Sequence, residues 1–482
     1  MAQPFLEPSS RGLIAAEPCP RELGREIAPE RRRMVLAACV LASSMAFIDG
    51  SALTVALPRL RTDLGADLAS MQWVLNGYVL ALASLTLIGG ALADAHGKAR
   101  MLAIGCLLFA LASAACAVAP SAAWLIAARV VQGIAAAILT PASLAVIGAT
   151  YPRDERSRAI GLWASASALT TVGGPVLGGW LTENYGWQLI FWINPPLALI
   201  AVGILMAFAP EDPREPSRFD VVGAAILAAA LGALAWALSR IGPGGYDGAT
   251  DASSLSSIAI VAGLSVVGLA VYAFWERRTE HPMTPPRLLA NRAFVGLNVA
   301  TLLIYAGLSI MFFLMPFDLV DRRGLSATGA GLVFLPFTLG VGLLSRFFGA
   351  MADTIGARVM LIAGPVGAAL AYVWMAVGQE ASLMVGAIGP MALLGISFAV
   401  LVAPLTASVM SSVNQADEGL ASGINNAASR IAQLAGVALA AGVASFASGY
   451  EVGLTVAAAI TIAGAFVVAA TVPPTAATSN AP

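Results

Sequence analysis

Three ionisable residues stand well inside long apolar stretches: Asp49, Arg129 and Arg346. By insertion scales a charge at the centre of a bilayer costs on the order of 3 kcal/mol, so each such residue needs a partner or a task. Asp49 sits about two-thirds along the first apolar stretch and Arg129 near the start or middle of the fourth, depths that allow the two to meet. A guanidinium favours the ionised carboxylate and burial opposes it, so a pair of this kind can exchange a proton with its surroundings. The competing reading is a permanent ion pair that only fixes helix packing. Arg346 is close enough to the end of its stretch to extend its head group to the membrane interface.

Other chemistries have little material. The chain has two histidines, His96 and His281, and four cysteines, Cys19, Cys39, Cys106 and Cys116, with no spacing that reads as a metal site, a disulfide framework or a histidine-based triad. No phosphate-binding G-x-x-x-x-G-K-[ST] loop occurs, so uphill work would draw on an ion gradient rather than on nucleotide hydrolysis. No cofactor or metal is expected beyond the proton gradient itself. An intramembrane enzyme or sensor is disfavoured by the same inventory. The net charge of -1 points to no nucleic-acid partner.

The stretches themselves define the fold class. Of 482 residues, 59% are hydrophobic and 11% charged, with a mean hydropathy of +0.83, more apolar surface than a water-soluble core can hide. Apolar runs fall at about 34–57, 72–93, 101–119, 122–149, 159–181, 188–209, 219–239, 255–275, 294–317, 328–351, 358–378, 382–411, 419–447 and 451–472. The expectation is an all-α polytopic membrane protein with fourteen transmembrane helices. Eighteen of the 26 Lys and Arg residues then lie on one side, five on the other and three within runs. Basic residues stay on the cytoplasmic side, so both termini are expected there, in a bacterial inner membrane. The polar residues 1–33 read as a disordered cytoplasmic tail, with a second tail at 473–482.

A repeat divides the chain. Gly90, Asp94, Gly97, Lys98 and Arg100 follow the second run, and Gly349, Asp353, Gly356 and Arg358 follow the tenth, both in a G-A-x-A-D-x-x-G pattern closed by a basic residue. Spacing by a whole multi-helix unit indicates two homologous bundles. The expected domains are 34–209, 294–472 and, between them, a two-helix insert within 210–293.

On these motifs the chain resembles the major facilitator superfamily, and its fourteen runs resemble the drug:proton antiporter branch of that family. The first-run pattern Asp49 to Pro58, the loop Gly90 to Arg100 and Arg129-Val-Val-Gln132-Gly133 are similar to family motifs. Gly161, Gly174, Pro175, Gly178 and Gly179 resemble the antiporter motif of the fifth helix. The resemblance implies two six-helix bundles that alternate in access, export of small amphipathic or drug-like molecules in exchange for protons, and a protein functional as a monomer. An uptake symporter or facilitator is the alternative. It also implies that Asp94 docks near Gly419 in the other half and latches the cytoplasmic side.

Trp73, Asn76, Tyr78, Tyr305, Phe312 and Met315 lie on runs expected to line the cavity, and such side chains suit bulky apolar substrates. Asn425, Asn426, Ser429 and Arg430 form a polar cluster in the thirteenth run, read as a structural hydrogen-bond network in preference to a substrate contact. Asp318 and Asp321 read as solvated residues at the outer mouth.

Overall fold

The computed structural model describes residues 28–209, 220–239, 252–279, 286–414, 418–444 and 448–473, and among them there is no β-strand. The helices are α1 (Pro29–Asp63), α2 (Leu68–His96), α3 (Lys98–Ala117), α4 (Ala122–Thr150), α5 (Arg153–Asn184), α6 (Gln188–Trp192) and α7 (Asn194–Phe208) in the first bundle. The insert is α8 (Val221–Ser239) and α9 (Ala252–Glu276), followed by the short α10 (Pro286–Leu289). The second bundle is α11 (Arg292–Phe317), α12 (Ala327–Val333), α13 (Leu335–Ile355), α14 (Ala357–Val377), α15 (Gly389–Ser411), α16 (Glu418–Val443) and α17 (Gly449–Thr471), with π-helical turns at Asp318–Arg322 and Met384–Ile388. Among the described residues eleven helical segments are long and apolar enough to cross a membrane, and Val222–Leu238 is a shorter apolar helix. This is a multi-pass membrane protein.

Helix boundaries depart from the apolar runs for identifiable reasons. The first helix begins at Pro29, so residues 29–33 belong to a helix and not to the expected tail. Proline is preorganised for the first helical turn, and the arginines that end the apolar count can continue a helix by reaching to the interface. Residues 1–27 and 474–482 of the two tails lie outside the described residues. The sixth run breaks between α6 and α7 ahead of Pro195-Pro196, and the tenth breaks between α12 and α13 ahead of Pro336, since proline has no N–H to continue the ladder.

The same packing scheme appears twice. In the first bundle α1 packs on α5 and α7, α2 on α4, and α3 on α4 and α7; in the second α11 packs on α16 and α17, α13 on α15, and α14 on α15 and α17. The loop glycines repeat as well: Gly97 ends α2 at φ 97° and Gly356 ends α13 at φ 94°, a conformation that costs glycine nothing. Arginines at the bundle entrances match too. Arg31 donates to the Ala207 carbonyl at the end of α7 (3.4 Å), and Arg292 to the Ala470 carbonyl at the end of α17 (3.2 Å). A cation over the open carbonyls of a helix C-terminus suits both their hydrogen-bonding need and the dipole.

Glycines set how closely the helices approach, as small residues do where no hydrophobic effect pulls helices together. A Cβ on Gly174 would collide with the Ser51 hydroxyl, and one on Gly178 with the backbone of Ala52, so the glycine motif of α5 seats α1. The α2–α4 crossing is closest at Gly89, facing the Ala137 carbonyl, and at Gly133, facing the Tyr78 carbonyl; Gly90 meets the Pro141 Cβ at an ordinary 3.5 Å. The close backbone approach of α2 to α4 therefore belongs to Gly89 and not to the motif glycine Gly90. Outside the two bundles, α8 packs across α2 and α16, where Leu231 and Ala235 join Leu434, Ala438, Trp73 and Leu80.

Gly178→Ala should destabilise the protein by about 1–3 kcal/mol through overpacking against Ala52. Gly173→Ala, one turn away with nothing within 4 Å of its added Cβ, should be neutral or slightly stabilising. Thermal unfolding of both variants in detergent separates a seat for α1 from a general effect of helix glycine.

Candidate functional site

Asp49 and Arg129 meet. α1 and α4 are brought together behind α2, where the Arg129 Nη1 donates to Asp49 Oδ2 in an ion pair with side-chain exposures of 0% and 1%. Gln132, one turn along α4, donates to Asp49 Oδ1 at 2.9 Å and accepts from Arg129 at 2.7 Å. Asn194, the first residue of α7, reaches Asp49 Oδ1 at 3.5 Å and donates to Ser113 of α3 at 2.8 Å. Four of the bundle's helices thus converge on one carboxylate.

Arg129 has partners that do not depend on Asp49. Its Nε donates to the Val74 carbonyl at 3.0 Å, and its guanidinium lies 4.2 Å from the Tyr78 ring centroid and 5.9 Å from that of Phe191. A cation over an aromatic face gains on the order of 2 kcal/mol when desolvated. Neutralising Asp49 would therefore leave the guanidinium held by a carbonyl, the Gln132 amide oxygen and two rings.

The contacts recorded between the two bundles among the described residues lie toward the outer ends of the helices and in the middle of the fold. Arg61 at the end of α1 pairs with Asp321 at 2.8 Å and stands over the Phe317 ring at 5.3 Å. Glu183 of α5 accepts from the Thr328 backbone N–H of α12 at 3.0 Å. Hydrogen bonds from the Thr328 side chain, the Thr328 backbone and Ser326 hold the Glu183 carboxyl below its ordinary range. A depressed value means that this contact is present at ordinary pH and is lost only as pH falls through the lowered value. Gly179 faces the Ala327 carbonyl and Gly331 the Pro175 carbonyl, while Asn76 donates to the Leu434 carbonyl of α16 at 3.2 Å. Among the described residues these contacts hold the two bundles together at the ends of α1 and α5.

Asp318 corrects an expectation. It is 6% exposed and holds both Arg322 and, at 2.9 Å, Arg323, whose other donors take carbonyls near Gln379. The π-helical turn swings it inward from the mouth, so it ties α11 to the end of α14 and is not a solvated interface residue.

The expected cavity residues separate. Trp73 packs in the cluster beneath α8, Met315 is fully buried and accepts from the Tyr450 hydroxyl at 3.1 Å, and Tyr78 forms the wall of the Arg129 site. Tyr305 and Phe312 begin and extend an aromatic ladder: Tyr305 to Phe398 at 6.0 Å, Phe398 to Phe337 at 5.7 Å, Phe337 to Phe312 at 5.4 Å and Phe312 to Phe334 at 5.2 Å. The polar cluster of α16 divides as well. Asn425 donates to Asn298 and Thr301 of α11, whereas Arg430 bonds only Gln433, at 3.0 Å, among the described residues.

In the loop motifs Arg100 is exposed, and Arg358 donates to the Ala469 carbonyl at 2.6 Å. The surroundings of Asp94, Asp353, Gly161 and Gly419 lie outside the described residues, and with them the expected latch. Arg346 is exposed on α13. Among the described residues no group of three or more His, Cys, Asp or Glu side chains could hold a metal. Two polar partners of Asp49, Gln132 and Asn194, were not read as such from the charges: Gln132 lies in the Arg129-Val-Val-Gln132-Gly133 motif and Asn194 precedes Pro195, signals of position but not of contact.

The Major Facilitator Superfamily profile matches residues 39–299 and 297–482. The chain belongs to this superfamily. It is 32% identical over 409 residues to multidrug resistance protein Stp of Mycobacterium tuberculosis, covering 84% of this chain and 74% of that protein. It is 34% identical over 401 residues to the cephamycin export protein CmcT of Amycolatopsis lactamdurans, covering 81% of each. Among solved structures, the peptide transporter POT in complex with sulfate shares the fold at a TM-score of 0.67 and 16% identity, over 92% of this chain and 94% of that one.

Breaking one side of the buried pair strands a charge, at about 3–5 kcal/mol, whereas replacing both partners with apolar residues is close to neutral. Arg129→Leu should therefore lower the yield of folded protein sharply, and Asp49→Leu combined with Arg129→Leu should restore most of it, as read by size-exclusion profile and melting temperature.

Proposed function

We propose that this protein exports small amphipathic or drug-like molecules, xenobiotic or endogenous, in exchange for protons. Its relatives bear the names of multidrug resistance and antibiotic export proteins, which supports export and a broad apolar substrate class. The observation that carries proton exchange is the Asp49–Arg129 pair, buried inside the first bundle with neutral partners ready to retain the guanidinium.

In this reading the chain spans the membrane fourteen times, as two six-helix bundles, 34–209 and 294–472, flanking a two-helix insert, with both termini in the cytoplasm of a bacterium. Each of the fourteen apolar runs overlaps a helical segment, and the basic residues collect on one side. The protein works as a monomer and needs no cofactor beyond the proton gradient.

The contacts between the bundles at the ends of α1 and α5 fit a state in which substrate arrives from the cytoplasm. Turning outward requires Arg61 to leave Asp321, α12 to leave Glu183 and Asn76 to leave Leu434. Once the outer side opens, a proton from outside neutralises Asp49 and weakens its hold on Arg129. Return to the inward state exposes the protonated carboxyl to the cytoplasm, where the proton leaves and the pair reforms. Because the carboxylate is tied to α3, α4 and α7 at once, its charge state is felt by the helices that must move against the second bundle.

Asp49→Asn removes the titrating group and keeps the hydrogen-bond acceptor and the volume. In proteoliposomes with an imposed pH gradient the variant should lose gradient-driven accumulation, while exchange of labelled for unlabelled substrate across the membrane continues. Undiminished gradient-driven transport would sink the proposal.

A further inference from the structure

Among the described residues Arg430 is a cation without an anion. It lies on α16 near the middle of the fold, half-buried, and its hydrogen-bond partner is the neutral amide of Gln433 at 3.0 Å. On α16 Asn425, before it, donates to Thr301 of α11, Gly436, after it, faces the Ala306 carbonyl, and Leu434 accepts from Asn76 of α2, so Arg430 stands at the level of Tyr305 of the second bundle and Tyr78 of the first. Among the described residues no carboxylate pairs with it. A guanidinium kept in an apolar setting without a counter-charge is expensive, and the expense is usually met by a function.

Its setting indicates what would complete it. Tyr305 is the first ring of the aromatic ladder that runs through Phe398, Phe337 and Phe312 to Phe334, with Tyr305 and Phe312 half-buried. Tyr78 presents its ring to Arg129. A cationic head group and the half-buried rings of Tyr305 and Phe312 stand near the junction of the two bundles, with Phe398, Phe337 and Phe334 buried behind those rings.

We propose that Arg430, with Tyr78 and Tyr305, receives the acidic group of an amphipathic anion whose apolar body lies against the half-buried rings of Tyr305 and Phe312. This names the substrate class of the export reading and rests on it. The guanidinium supplies charge-assisted donors to a carboxylate or comparable group, and the two tyrosine hydroxyls can donate to its remaining lone pairs. Cationic amphiphiles are repelled by the same charge.

The charge balance also fits exchange. With Asp49 ionised, Asp49, Arg129 and Arg430 together carry one positive charge. An anion at Arg430 brings that sum to zero, so the loaded chamber turns outward without opposing an inside-negative potential. The empty chamber, with a proton on Asp49, carries two positive charges and is drawn inward. Substrate and proton are thus separated by the charge of the state each one travels in, with no need to compete for one atom.

Binding of 1-pyrenebutyrate, 1-pyrenebutanol and 1-pyrenebutylammonium to the purified full-length protein, followed by tryptophan-to-pyrene energy transfer, tests this with one apolar body in three charge states. The anion should bind about tenfold tighter than the alcohol, the scale of one charge-assisted hydrogen bond, and the ammonium weakest. Arg430→Gln should erase the advantage of the anion and leave the alcohol unchanged, which also shows that the variant is folded; Arg430→Lys should keep most of it. Equal binding of anion and alcohol to the unaltered protein overturns the proposal without any variant, as does an anion preference that survives Arg430→Gln. Failure of all three probes to bind overturns it together with the amphiphile cavity of the export reading. Gradient-driven transport undiminished in Asp49→Asn, with the anion preference intact, overturns the export reading alone.

Discussion

Everything in the first bundle is arranged around a carboxylate that cannot be left alone. In hydrocarbon an unpaired charge has no water to fall back on, so Asp49 requires Arg129, and Arg129 in turn requires enough neutral partners to survive a change in Asp49. Gln132 bridges the two, Val74 offers a backbone carbonyl, Tyr78 and Phe191 offer ring faces, and Asn194 connects the carboxylate to Ser113. A bare ion pair would serve packing. An ion pair backed by uncharged acceptors keeps its cation held by more than one partner.

The glycines of α5 belong to the same constraint. Asp49 is on α1, and α1 is seated against α5 where Gly174 and Gly178 leave room for Ser51 and Ala52. One step further, Gly179 and Pro175 bring α5 against Ala327 and Gly331 of the second bundle. The glycine motif therefore joins the carboxylate's helix on one face to the opposing bundle on the other. Close backbone contact without side-chain interlock lets two surfaces part and rejoin with little repacking, which a bundle that rocks needs and a static one does not.

The sequence was most legible where chemistry and periodicity coincide. A charge inside an apolar run marks itself, so the Asp49–Arg129 meeting could be anticipated from depth alone, and the paired loop motifs announced the internal repeat that Gly97 and Gly356 bear out in their matching φ angles. What stayed hidden depends on rotation about a helix axis. Gly89 and Gly90 are neighbours in sequence, yet only the first would press a Cβ into the backbone of α4, while the second meets the Pro141 Cβ at an ordinary 3.5 Å. Trp73 and Tyr78 share a helix, but one faces the insert and the other the guanidinium. Asp318 looked like a mouth residue because a π-helical turn cannot be read from composition.

The repeat also shows where the two halves have diverged. α15 occupies in the second bundle the place of α4 in the first, and both carry an inner-end proline, Pro141 and Pro404. Yet α15 contains no charged residue where α4 has Arg129, and α11 has no carboxylate within its helix where α1 has Asp49. The second bundle places aromatic rings in that space: Phe398 on α15, Tyr305 and Phe312 on α11, Phe337 on α13. One scaffold has thus been given two interiors, a polar one that holds a titratable group and an apolar one that forms a wall. Duplicated bundles with identical interiors would repeat the same contacts; here the buried ion pair lies in one bundle and the aromatic ladder in the other.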